Sequence, residues 1–214
     1  ELIDRARSDM DLAVLATHGR GGLERAWLGS VADAVVRHVR LPVLLVRPED
    51  DRREAGEAEE IVPRHILAAT GGSAAGDASV REAARLARLM DARLTLLRVV
   101  SFPAGLASPY IPHAAEMDRE VAESREEEAR QALATLAGEL EVPAVETKIE
   151  WAYHPARGIL EAVEEVGADL VAVGTHRSSR VARAVLGSVA DKVVRASPVP
   201  VLVGHVRTEE ESAA

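Results

Sequence analysis

Between residues 61 and 206, short apolar runs alternate with stretches whose apolar residues recur at helical spacing. His65–Thr70 (HILAAT) is an apolar run ending at Gly71-Gly72, which predicts a buried strand entering a tight turn. Val80, Ala83, Ala84, Leu86, Ala87 and Met90 lie three or four apart and predict a helix over 77–91. Arg93–Val100 predicts a second strand, and Pro103, Pro109 and Pro112 make residues 101–113 a loop. A long helix follows from Ala114 to about Leu140, then a strand over 144–151 and a helix over 155–166 with Pro155 in its first turn. Asp169–Gly174 reads as a strand, Ser188–Ala196 as a short helix and Val199–Val203 as a last strand. Strands alternating with helices require crossover connections, hence a five-stranded parallel doubly wound α/β sheet covered on both faces, of the Rossmann-like type. Ligands of such sheets sit beyond the carboxyl ends of the strands.

The pattern of residues 169–204 also occurs earlier. DLAVLATHGRGGLERAWLGSVADAVVRHVRLPVLLV at 11–46 aligns without a gap to DLVAVGTHRSSRVARAVLGSVADKVVRASPVPVLVG at 169–204, pairing His18 with His176 and Pro42 with Pro200. Roughly half the positions are identical, which indicates duplication. The chain therefore divides into the C-terminal part of a first module (1–47), a charged linker (48–60), a complete module (61–206) and a tail (207–214). Because the chain opens at Glu1 within what reads as a helix already under way, its natural start is expected to lie further upstream.

Composition narrows the chemistry. The absence of cysteine excludes disulfides, thiol nucleophiles and Cys-based metal centres. Aromatic residues are 2% of the chain, which argues against an aromatic base-stacking platform. A net charge of −9 argues against a general nucleic-acid binder. No apolar run approaches the roughly 18–20 residues that span a bilayer.

Three segments reach the carboxyl edge of the predicted sheet. They are the turn Thr70, Gly71, Gly72, Ser73; the end of strand two at Val99; and the connection from Gly174 to Ser188. In the last, Gly187 precedes a helix beginning Ser188-Val189, where free backbone N–H groups suit an anion. Ser188 followed by Asp191 reads as close to a capping box. His176, Arg177, Arg180 and Arg183 concentrate positive charge in the preceding loop. The first copy repeats the arrangement with Ala16, His18, Gly19, Arg20, Gly22, Gly29, Ser30 and Val31. A phosphate cradle is one reading of these segments. An ordinary turn with solvated arginines is the other.

These residues resemble the universal stress protein family, as a tandem-domain member whose first domain is cut at its N-terminal side. The resemblance covers nearly the whole chain. Nucleotide-binding members carry Gly-x2-Gly-x9-Gly-Ser/Thr after strand four. This chain has Ala16-Thr-His-Gly19, nine residues, then Gly29-Ser30, and Gly174-Thr-His-Arg177, nine residues, then Gly187-Ser188. ILAATGGS and the terminal PVLLV and PVLVG belong to the same pattern. The resemblance implies ATP as ligand, possible Mg²⁺ association, nucleotide-dependent dimerisation or partner binding, and a cytoplasmic stress-response regulator. Three positions depart from the pattern. Gly71 stands where an aspartate usually contacts the nucleoside, Tyr153-His154-Pro155 replaces a glycine-containing turn, and Arg177 replaces the second glycine.

No HExxH, Ser-His-Asp set or fixed carboxylate pair is assignable, so no catalytic residue and no metal ligand is assigned. Glu123 and Glu126–Glu128 beside Arg125 and Arg130 read as a solvated helix face. His113 and His154 read as surface histidines, and Asp33 and Asp191 as helix caps. The apolar final strands, 41–46 and 199–203, are expected to pair with one another within the chain or between chains, because such edges are hazardous when open. Self-association or partial disorder of 1–47 is also expected. The rival readings are a non-binding dimerisation module with a degenerate pocket and a slow ATPase.

Overall fold

The computed structural model describes residues 10–16, 30–39, 41–46, 62–102, 114–175 and 186–204. Its elements are β1 (Ala13–Ala16), α1 (Ser30–His38), β2 (Val43–Val46), β3 (His65–Ala69), α2 (Ala74–Met90), β4 (Arg93–Val100), α3 (Ala114–Gly138), β5 (Val145–Trp151), α4 (Pro155–Val166), β6 (Leu170–Gly174), α5 (Ser188–Ala196) and β7 (Val201–Gly204).

One seven-stranded sheet runs in the order β1-β2-β7-β6-β3-β4-β5. The five strands from β3 to β7 are mutually parallel, the doubly wound sheet that the alternation requires. β1 and β2 are parallel to each other and join the sheet through an antiparallel β2–β7 seam. The sheet is therefore two strands wider than the complete module alone.

The internal similarity carries into three dimensions. Adding 158 to the bounds of α1 gives those of α5, and adding 158 to those of β2 gives those of β7. The seam is centred on that relation. Leu44 lies opposite Leu202, its own counterpart, flanked by Val43 opposite Val203 and Leu45 opposite Val201. A local two-fold axis thus passes between Leu44 and Leu202.

Alternation along each strand divides the core. Leu67, Leu97, Val171 and Val203 face the layer of α1, α4 and α5, where Val36, Ile159 and Val193 are buried. Ile66, Leu94, Leu96, Leu170 and Leu202 face α2 and α3, where Val80 and Leu133 are buried. Each such aliphatic side chain contributes about 1.5–3 kcal/mol when fully buried.

Several boundaries differ from the sequence expectation. α2 starts at Ala74 rather than Asp77, because Ser73 caps it and accepts from the Gly76 N–H at 3.3 Å. Asp91 ends that helix in the left-handed region (φ 52°), with its backbone N–H donating to the Ala87 carbonyl. α3 ends at Gly138, and β7 begins at Val201, after Pro200, whose carbonyl accepts from Val171 N–H at 3.0 Å. The acidic face of α3 forms helical ion pairs as expected: Arg119 with Glu123 at 2.8 Å and Arg130 with Glu126 at 2.7 Å. Arg125 leaves this ladder and donates to the Ser101 carbonyl at 3.1 Å.

At the amino edge of the sheet, Asp169 fastens β3 to β6. Its carboxylate accepts from the Arg64 N–H at 2.9 Å and the His65 N–H at 3.0 Å. Ligands of doubly wound sheets sit at the opposite, carboxyl edge.

Candidate functional site

The turn leaving β3 is held by its own side chains. The Thr70 hydroxyl accepts from Gly72 N–H at 3.0 Å and donates to Asp77 Oδ1 at 2.8 Å, while Thr70 N–H donates to the Leu97 carbonyl at 2.9 Å. Gly72 has φ 73°, a backbone region that favours glycine. Gly71 is different: it is exposed, and a Cβ there would meet nothing within 4 Å. The backbone does not require a glycine at 71, so an aspartate's absence there is a change of chemistry and not a steric necessity.

Gly174 ends β6 against the first turn of α2. A Cβ on it would stand 2.8 Å from Gly76 N and closer still to the Ala75 carbonyl. The turn at 70–73 and the end of β6 thus form one continuous surface. Val99 is half-buried and packs toward α4, where a Cβ on Gly158 would touch its Cγ1 at 3.0 Å.

α5 opens at Gly187 in extended backbone (φ −59°, ψ 152°), with no side-chain cap hydrogen bond among the described residues. This corrects the capping-box expectation. Gly187 is the N-cap, Ser188 is the exposed first helical residue, and the Asp191 carboxylate is taken by Arg195 Nε at 2.9 Å. An acid one turn into a helix pairs readily with a base four residues on, and here that pairing replaces the cap. Val189 is half-buried against the α1–α4–α5 core.

Thr70–Ser73, Val99, Gly174 and Gly187–Val189 therefore all lie at the carboxyl ends of parallel strands or at the helix starts beyond them. His176, Arg177 and Arg180 lie outside the described residues, as do His18, Gly19, Arg20, Gly22 and Gly29. Of the first copy, Ala16 is exposed at the end of β1, and Ser30 and Val31 open α1. His154 is exposed and precedes α4 without capping it.

Two features of this edge escaped the sequence reading. Arg98, on β4, places its guanidinium against Gly72: a Cβ there would lie 3.2 Å from Cζ. Its Nη1 is shut off from solvent and has no hydrogen-bond partner among the described residues. In addition, three of the chain's five aromatic residues gather at the ends of β4 and β5. Phe102 lies 5.4 Å from Trp151 and 4.7 Å from Tyr153 between ring centroids. A low aromatic total did not prevent a local cluster of three rings. An arginine inside the otherwise aliphatic run LLRVV was the available signal for the first feature.

The universal stress protein family model matches residues 3–47 and 63–205. The chain belongs to this family. A universal stress protein of Mycolicibacterium smegmatis is 35% identical over 145 residues, 65% of this chain and 47% of the relative. A Staphylococcus haemolyticus relative assigned to the same family is 33% identical over 149 residues, 69% of this chain and 86% of its own length. Among solved structures, the universal stress protein UspA from Lactobacillus plantarum is similar at 26% identity and TM-score 0.54, covering 66% of this chain and 97% of its own. A universal stress protein from Archaeoglobus fulgidus shares the fold at 21% identity and TM-score 0.60, over 95% of this chain and 65% of its own. The chain thus spans about half the length of the first of these relatives. No helix among the described residues of this universal stress protein is long and apolar enough to cross a membrane.

Proposed function

We propose that this universal stress protein binds an adenine nucleotide, ATP in the first instance, at the carboxyl edge of β3, β4 and β6. It would act as a cytoplasmic regulator that changes its pairing or partners with occupancy. The observation that carries the reading is the start of α5. Gly187 offers no side-chain cap and Ser188 is an exposed first residue, so among the described residues no side chain caps this helix N-terminus. An anion is the natural complement of such an end. In this reading the Ser188 hydroxyl and the N–H groups of Ser188 and Val189 hold phosphate oxygens. The same elements recur as Ser30 and Val31 at the start of α1.

A second reading is favoured by Gly71, where the open backbone has space for a nucleoside-contacting side chain and has none. In this reading the complete module only pairs strands and binds no nucleotide.

Calorimetric titration of ATP into the full chain, with and without Mg²⁺, separates the two. Saturable binding that Ser188→Ala weakens by about fivefold or more supports the cradle, as expected for a lost charge-assisted hydrogen bond. No heat up to millimolar ATP supports the pairing module.

A further inference from the structure

We propose that the ends of β3, β4 and β5 form, on the α2–α3 side of the sheet, a second ligand site for a planar ring bearing a phosphate. The ring would stack on Tyr153 and Phe102, and the phosphate would meet Arg98.

Side chains alternate between the two faces of the sheet along β4. Leu94 and Leu96 lie in the core beneath α2 and α3, so Arg98 points to the same side. There its Nη1 is enclosed without an acceptor among the described residues. Buried unpaired donors are rare, and a charged one is costly, because burial removes water without supplying a replacement. Gly72 is what lets the guanidinium lie so close to the turn: a Cβ there would lie 3.2 Å from both Cζ and Nη2. A planar fork of donors is suited to two oxygens of a phosphate.

The rings share that side. Trp151 is the register partner of Val100, and Ile149 that of Arg98. Trp151 therefore lies one step beyond Arg98 on the same face of the sheet, about 7 Å along the strand direction. Phe102 bridges Trp151 and Tyr153, and Tyr153 is 77% exposed. A ring cluster with one member largely exposed offers a face on which a further ring can stack. Cation and rings together match a ligand with a flat apolar body and one anionic end. The site shares the Gly72 turn with the proposed nucleotide edge but lies on the face of the sheet opposite to α5. It does not need a phosphate at the start of α5.

Asp118 on α3 supplies the rival. Its Oδ1 is also buried without a partner among the described residues, so an Arg98–Asp118 pair in solution would satisfy both groups without a ligand.

The test uses the full chain carrying Trp27→Phe, which leaves Trp151 as the one indole. Phenyl phosphate is titrated against Trp151 emission, with phenol and inorganic phosphate as separate probes. The expected result is a saturable response to phenyl phosphate at least about tenfold tighter than to either fragment. Arg98→Gln should weaken phenyl phosphate by about tenfold or more and leave phenol unchanged. Tyr153→Ala, at an exposed position, should weaken phenyl phosphate and phenol alike. Ser188→Ala should change none of these, whatever it does to ATP. An absent response, an Arg98→Gln titration equal to the parent, or equal loss in Ser188→Ala overturns the site. So does a thermal-stability cycle in which Arg98→Gln and Asp118→Asn are strongly coupled while phenyl phosphate gives no response, since that is the internal ion pair.

Discussion

Gly174 and Ala75 meet where no side-chain carbon fits: a Cβ on Gly174 would run into the Ala75 carbonyl and come within 2.8 Å of the Gly76 nitrogen. Backbone cannot swing aside as the end of a flexible side chain can. Gly174→Ala is expected to destabilise the protein by about 1–3 kcal/mol, the usual penalty of overpacking. Gly71→Ala, in open space and without a left-handed φ, is expected to stay within about 0.5 kcal/mol of the parent. Paired urea melts check both. Equal midpoints would show that α2 can retreat from β6.

His65 supplies a pH dependence. It is buried, its Nε2 lies 2.8 Å from Thr95 Oγ1, and Arg93 Nη2 donates to its Nδ1 at 3.4 Å. Burial first, and then the Arg93 charge, holds its pKa below the ordinary 6.5, against smaller opposing pulls from the Val166 backbone, Glu146 and Asp169. The unfolded chain therefore takes up this proton before the folded one does. The histidine's contribution is complete above about pH 6.5 and declines as pH falls below it. Stability measured from pH 8 to pH 5 should fall more steeply in the parent than in His65→Gln. Parallel curves would remove His65 from the account.

The Leu44–Leu202 pair is symmetric in register but not in cover. Leu202 is fully buried beneath α2, while Leu44 is half-buried. Leu202→Ala should cost about 2–5 kcal/mol, and Leu44→Ala clearly less. Equal losses in chemical denaturation would indicate that something also covers the β2 side in solution, and light scattering would then show a second copy of the chain or exclude it.

Asp169 accepts three backbone contacts, from Arg64 and His65, at the amino edge. Asp169→Ala leaves those N–H groups without their acceptor and is expected to cost about 1–3 kcal/mol. Asp169→Asn keeps one acceptor oxygen and should recover part of the loss. Hydrogen exchange at Arg64 and His65 reads the effect directly. Unchanged protection in Asp169→Ala would show that water substitutes.

Much of this architecture was legible because two periodicities dominate the chain. Aliphatic runs and helical spacing mark every element from β3 to β7, and the internal similarity marks β1, α1 and β2 before any geometry is known. The start of α2 was missed because Ala74, Ala75 and Gly76 carry no amphipathic signal; the Ser73 cap, not a periodicity, begins that helix. The Ser188–Asp191 cap was misread because Arg195 competes for the same carboxylate. Arg98 was passed over because its side chain matters through a packing relation with Gly72 across two strands. The three rings were invisible as a group because Phe102 and Trp151 are distant in sequence, and only the β4–β5 register brings them together.

The β2–β7 seam reads the same from either side, since each strand faces a near-copy of itself. A strand with that property does not distinguish its own chain's partner from the same strand on a neighbour. What favours the closed chain is proximity: the covalent connection between β2 and β3 holds the partner at an effective concentration of roughly millimolar order. Severing that connection between residues 46 and 62 leaves the seam's contacts intact but makes its closure depend on dilution. The tether, more than the contacts, decides whether this joint serves one molecule or joins two.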